Sequence, residues 1–205
     1  MDLLISNIVG LIIGLFTSFL TWWILFHAIV PKIEFAKDIS KLPTDDDSSG
    51  SRYRIKFANV GKRALVDIQV LARFSIKGLT RPGNWVTINI PLEWNGDTKA
   101  EMPRLTKKNN RVLRLFISHA LDLKRSTLYS QEIHDKANAE TLTLEDLFSL
   151  GTESSLIIWV FGYDEFSGSR KLFRSQDYKI TDIKEGRFKQ LEVISDEMPI
   201  NAEPT

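Results

Sequence analysis

Val66-Asp67-Ile68-Gln69-Val70-Leu71-Ala72-Arg73-Phe74-Ser75-Ile76-Lys77 decides the architecture of most of the chain. Val66, Ile68, Val70, Ala72, Phe74 and Ile76 fall on one face. Asp67, Gln69, Arg73, Ser75 and Lys77 fall on the other, and Leu71 alone breaks the alternation. A helix repeats its apolar positions every three or four residues. Period two over this length predicts a long strand buried on one side. Gly78 and the Arg81-Pro82-Gly83-Asn84 cluster end it.

The same pattern continues in both directions. Tyr53, Ile55 and Phe57 alternate with Arg54 and Lys56, and Gly61-Lys62 predicts the turn between the two strands. Downstream, Trp85–Ile90 and Arg111–Ile117 alternate again, with Val86, Ile88 and Ile90, then Leu113, Leu115 and Ile117, on one face. Leu156–Phe161 is apolar throughout, which predicts a central strand buried on both faces. Tyr163–Gly168 reads as a hairpin loop, and Arg170–Tyr178 as the returning strand. Lys32–Ala36 and Phe188–Ile194 add a first and a last strand. Only Leu144–Leu150 predicts a soluble helix, opened by a Thr143/Asp146 capping box and stopped by Gly151. About eight strands and one short helix predict a mainly β fold, a β-sandwich over residues 32–195. Residues 196–205 contain two prolines and are expected to be a disordered tail.

Residues 1–31 are of another kind. No Asp, Glu, Lys or Arg occurs from Leu3 to Val30. As a helix this segment would reach roughly 42 Å, more than the ~30 Å of a bilayer's hydrocarbon core. A cleavable leader would begin with basic residues and exit through small ones. Here the start is Met1-Asp2 and the exit is Trp22-Trp23-Ile24-Leu25-Phe26, so a retained transmembrane anchor is expected. Trp22 and Trp23 are placed at the headgroup level, Ile24–Val30 continue the helix, and Pro31 stops it before Lys32. No basic residue precedes the span, while Lys32, Lys37 and Lys41 follow it, which predicts a cytosolic C-terminal domain at the inner membrane. Ser6, Gly10, Gly14 and Ser18 recur every fourth residue. Such a stripe lets two helix backbones approach closely, so it is read as a self-association face.

Composition excludes several chemistries. The 205 residues carry 27 Lys+Arg against 26 Asp+Glu, no cysteine and three histidines. Disulfides, thiolate catalysis and cysteine-ligated metals are thereby ruled out. A net charge of +1 gives no general attraction to nucleic acid. Phosphate loops, dinucleotide fingerprints and metalloprotease motifs do not occur in the sequence. Asp45, Asp47, Ser49 and Gly50 suggest the start of a calcium loop, but the position that needs a glutamate is Lys56. Ser118, His119 and Asp122 suggest a triad, yet neighbours on a strand point to opposite faces. Asp164-Glu165 are expected to be solvated carboxylates of a hairpin loop. No catalytic constellation survives, so the chain is read as non-enzymatic and without a cofactor.

Lys99, Arg104, Lys107, Lys108, Arg111 and Arg114 form the densest basic stretch, offset by Glu101. A solvated loop around Asn109-Asn110 is the plainer account. The functional account is an anionic ligand, a lipid headgroup or a nucleotide, held by Arg104, Lys107, Lys108 and Arg111. No aromatic residue is interleaved, which argues against a single-strand nucleic-acid site, and no nucleic-acid partner is expected.

Several segments in order resemble the cytoplasmic domain of inward-rectifier potassium channels. Val30-Pro31-Lys32-Ile33-Glu34-Phe35-Ala36 is similar to the family's passage from inner helix to first strand. Tyr53–Asn59 and Ala64–Asp67 resemble its F-R-x-x-N-x-R-x-N-x-L-V-E-A strand pair. His119–Asp122 with Ser126–Leu128 is similar to its H-P-I-D-x-x-S-P-L segment. The closest likeness is the series Leu144–Leu147, Leu156–Phe161, Gly162–Gly168 and Tyr178–Phe188. The resemblance implies an immunoglobulin-like sandwich assembled as a four-fold ring beneath a membrane, with anionic lipid near Pro31-Lys32. The family's second span, pore helix and selectivity filter have no counterpart in this sequence, so potassium selectivity is not carried over. The expected protein is a single-pass membrane protein whose cytosolic domain self-associates, a tetramer being favoured, and senses or docks a ligand or partner at the inner membrane surface. The alternative is a membrane-disrupting or pore-forming effector, as in a bacterial defence system, triggered through the cytosolic domain.

Overall fold

A computed structural model describes residues 2–43, 51–94, 96, 101–120 and 128–195. The calcium-loop residues 45–50, Lys99, Asp122 and the tail 196–205 lie outside the described residues.

The chain opens with an apolar helix, α1 (Asp2–Trp23), continued by a π-helical turn over Ile24–Ala28. Residues Ile5–His27 have a mean hydropathy of 2.1, and this helix is long and apolar enough to cross a membrane. Among the described residues, none of its side chains enters the core, which begins at Ile33. Leu11, Leu15 and Phe16 are each about two-thirds exposed, at 67%, 65% and 66%. Apolar surface all round a helix requires lipid or other helices to cover it.

The strands that follow are β1 (Ile33–Phe35), β2 (Ile39–Pro43), β3 (Ser51–Asn59), β4 (Leu65–Lys77), β5 (Trp85–Ile90), β6 (Leu92–Glu93) and β7 (Glu101–Leu105). After them come β8 (Asn110–Leu115), β9 (Glu153–Asp164), β10 (Arg170–Arg174), β11 (Ile183–Glu185), β12 (Arg187–Lys189) and β13 (Glu192–Ile194). One sheet has the order β11-β2-β3-β8-β6, with β1 also paired to β3. The other has the order β10-β9-β4-β5, with β7 also paired to β4. Among the described residues, only β11 and β2 pair in parallel; β12 and β13 form a separate ribbon. The mainly β fold is a sandwich preceded by one apolar helix. Tyr53, Ile55 and Phe57 from the first sheet share one buried cluster with Ile68, Phe74, Ile76, Leu156 and Ile158 from the second. Burying each large side chain of this kind contributes about 1.5–3 kcal/mol.

Several expectations are revised. The alternation of β4 holds from Ile68 to Ile76, but a bulge between Val66 and Gln69 turns Leu65 inward and leaves Val66 half-buried. Asp67 adopts a φ of 49° within that bulge. β9 is central, between β10 and β4, but only its inner face is buried: Ile157, Trp159 and Phe161 are half-exposed. The expected strand through Ile117 stops at Leu115, and a 3-10 turn covers Ile117–His119. The final strand is two strands, because Gln190 turns the chain at a φ of 54°. A second soluble helix, α2 (Gln131–Asn138), buries Ile133 and Ala137, one turn apart. The predicted helix is α3 (Leu144–Phe148); its Thr143/Asp146 capping box is present, and Gly151 follows at a φ of 71°.

Candidate functional site at the helix exit

Strand register brings three turns to one end of the sandwich. Leu65, the first residue of β4, lies opposite both Leu105 at the end of β7 and Asp164 at the end of β9. The turns over 60–64, 106–109 and 165–169 therefore meet there. The segment that leaves α1 arrives at the same place.

Backbone hydrogen bonds clasp that segment. The Val60 and Gly61 amides donate to the Lys32 carbonyl at 2.8 and 3.2 Å, and the Lys62 amide donates to the Val30 carbonyl at 3.1 Å. Asn59 is fully buried and completes the clasp. Its Oδ1 accepts from the Gly61 and Lys32 amides at 3.0 and 3.3 Å. Its Nδ2 donates to the Arg63 and Leu105 carbonyls at 2.7 and 3.0 Å. Gly61 is required here because a Cβ would collide with the Lys32 nitrogen and the Val30 carbonyl.

Arg63 ties this end together. Its Nη2 donates to the Leu25 carbonyl in the π-helical turn at 2.5 Å. Its Nη1 donates to Asp164 Oδ2 at 3.4 Å, and its guanidinium lies 4.1 Å from the Phe166 ring centroid. The side chains of Arg63 and Asp164 are 9% and 1% exposed, so this is a buried ion pair. Burial opposes ionisation of Asp164. The Phe166 amide, the Ser167 hydroxyl and the Arg63 charge outweigh it, and the carboxyl is held below its usual range. The expectation of solvated carboxylates is thus corrected for Asp164, while Glu165 remains 43% exposed. Asp164 is buried against Arg63, and Glu165 pairs with Arg104 at 2.8 Å.

Beside the clasp lies a cleft of about 470 Å³ lined by Lys62, Arg63, Arg104, Thr106, Lys107 and Phe166, among others. Arg63 and Arg104 are neutralised by Asp164 and Glu165. Among the described residues, Lys62 and Lys107 have no acidic partner, so the cleft carries an uncompensated positive charge. Such a charge attracts anionic groups.

Two of the four expected ligand residues, Arg104 and Lys107, reach this cleft. Lys108 adopts a φ of 66° and instead donates its amide to the Asn59 carbonyl at 2.8 Å. Arg111 lies on β8 in the other sheet, 5.4 Å from the Trp94 ring and bonded to the Asn110 carbonyl. Lys62, Arg63 and Phe166 were not singled out as ligand residues, because no local pattern states that three distant turns converge. Gly61-Lys62 marked the turn but not its neighbours.

The remaining expected positions fall on or beside α1. Ser6, Gly10, Gly14 and Ser18 lie exposed on the helix, and a Cβ at Gly10 or Gly14 would meet nothing within 4 Å. Trp22 and Trp23 close the regular helix, and Trp23 stacks on His27 at 4.1 Å. Lys32 is exposed, while Pro31 before it is buried. Elsewhere, His119 sits on a 3-10 turn 3.7 Å from Glu140. Glu145 on α3 accepts from the Tyr53 hydroxyl and from Lys41 Nζ at 2.7 Å, a cross-link between helix and sheet. Burial, then the hydrogen bond and charge of Glu145, push the Tyr53 phenol up, so it stays protonated. Among the described residues, no three His, Asp or Glu side chains are grouped to hold a metal ion. No protein-family model matches the chain, and no curated protein matches it.

Proposed function

We propose that this is a non-enzymatic single-pass membrane protein. Its sandwich rests against the inner membrane surface and docks an anionic group in the basic cleft. The observation that carries this reading is the position of the cleft. Arg63 lines it and also bonds the helix backbone at Leu25, so the cleft opens where the apolar helix ends. Lys32, Lys37 and Lys41 after the span favour the cytosolic side. The likeness to inward-rectifier cytoplasmic domains supports a ring of copies beneath the membrane. A lipid headgroup or a free nucleotide would present the same phosphate chemistry.

The test uses the full chain in phosphatidylcholine nanodiscs. Calorimetric titration with short-chain phosphatidylglycerol in one arm, and with ATP in the other, identifies the source of the phosphate. Replacing Lys62 and Lys107 together by alanine should weaken binding about tenfold or more, since a hydrogen bond to a charged group contributes about 1.5–3 kcal/mol. Binding of neither probe, or equal binding by the variant, would remove the site.

A second reading, the membrane-disrupting effector, is favoured by the Arg63–Leu25 contact, which joins the cleft to the helix. It predicts rapid depolarisation on induced expression. An unchanged membrane potential supports docking alone.

A further inference from the structure

We infer that the end of the sandwich nearest the helix is itself a lipid-facing surface, which dips Phe166 and Val60 into the headgroup layer of the bilayer. This rests on the membrane reading of α1.

Two large apolar side chains are left uncovered at this end: Phe166 is 61% exposed and Val60 is 42% exposed. They come from different turns and reach the helix exit by separate routes. Val60 is hydrogen-bonded by its amide to the Lys32 carbonyl. Phe166 stacks on the Arg63 guanidinium, whose far edge holds the Leu25 carbonyl, so one guanidinium separates the ring from the helix backbone. The depth of Leu25 follows from length. The 22 residues of α1 rise about 33 Å, close to the ~30 Å hydrocarbon core, so Trp22 and Trp23 lie at its boundary. Leu25 then enters the headgroup layer, roughly 5–8 Å thick on each face. A side chain one guanidinium from Leu25 lies at a distance from it comparable to the thickness of that layer.

The surroundings suit the interface. Lys62 and Lys107, without acidic partners among the described residues, lie beside the exposed ring in the same cleft. Apolar side chains with flanking cations are the composition of surfaces that settle in a headgroup layer, the apolar part inserting and the cations meeting lipid phosphates. A second copy of the chain is a poorer occupant, since it would bring the same unpaired lysines face to face. The clasp holds Val30 and Lys32 on the turn over 60–62, and Arg63 ties that turn to Leu25 in the π-helical turn.

The chain has no cysteine, so one introduced cysteine carries a nitroxide label uniquely. Three full-length variants are placed in nanodiscs of phosphatidylcholine and phosphatidylglycerol in equal parts. Phe166→Cys reports the tip, Leu11→Cys the span, and Trp85→Cys the far end of β4 and β5. Collision of each label with oxygen, which concentrates in lipid, is compared with collision with a water-soluble nickel chelate. The expected oxygen-to-nickel ratio at 166 is several-fold above that at 85 and below that at 11. Val60→Cys should follow 166. Equal ratios at 166 and 85, with a high ratio at 11, would overturn the inference and leave the membrane helix intact. A water-like ratio at 11 would instead overturn the membrane reading on which the inference rests.

Discussion

Arg63 touches three segments at once: the Leu25 carbonyl, the Asp164 carboxylate and the Phe166 ring. Removing one partner of a buried ion pair leaves the other charged without compensation, at a cost of about 3–5 kcal/mol. Arg63→Met should therefore lower the unfolding free energy of the sandwich, read from urea titration followed by β-sheet circular dichroism, by that order. Asp164 adds a pH dependence whose sign is fixed. Its carboxyl titrates below the unfolded value of about 3.9, so its contribution is complete above that value and is lost as pH falls through the depressed one. The stability gap between the wild type and Asp164→Asn should stay level from neutral pH down to about 5 and shrink below about 4. A gap that widens on acidification would mean that the carboxyl is not held ionised by its neighbours.

At the scale of elements, the clasp makes a separable prediction. Gly61→Ala drives a methyl group into the Lys32 nitrogen and the Val30 carbonyl, while the buried cluster lies in other strands. The linker should come free and the sandwich stay folded. Trypsin should then cut after Lys32 at a rate well above that of the wild type, with little change in the circular dichroism spectrum. Unchanged cleavage would show that the turn absorbs the methyl group. What the sequence made legible follows the same division. Long elements with an unbroken period, β3, β4, β5 and β9, were readable, as was α3, whose capping chemistry is local. β2, β6, β7 and β11 were not, because two to five residues are too few to express a period. α2 was hidden by its polarity, with Ile133 and Ala137 its only buried side chains. Arg104 and Lys107 could be singled out as charges. That they meet Lys62 and Arg63 depends on how Leu65, Leu105 and Asp164 pair across strands, which no short window of sequence contains.

At the scale of the whole molecule, the apolar surface of α1 remains uncovered by the chain itself, and its small-residue stripe is open. A Cβ at Gly10 or Gly14 meets nothing within 4 Å, so a second helix could approach the backbone there. We propose, from the sequence resemblance to inward-rectifier cytoplasmic domains alone, a ring of four sandwiches, each presenting one edge to the next. A heterologous contact that closes on itself fixes a definite number of copies. Anchoring in a bilayer raises the effective concentration of the sandwiches, so such a ring can be stable in the membrane and weak in solution. We propose that the full chain extracted in mild detergent is a tetramer, and that a fragment from Lys32 onward associates more weakly. Light scattering on both, with the bound detergent subtracted, measures this directly. Gly10→Leu with Gly14→Leu separates the two sources of assembly, because each leucine holds the helix backbones apart. A loss of stoichiometry in the double variant assigns the driving contact to the stripe. A tetramer that persists assigns it to the sandwich edges. A full-length wild-type monomer would refute both the ring and the close-packed helices, while leaving the fold untouched, since the buried cluster of the sandwich closes within one chain.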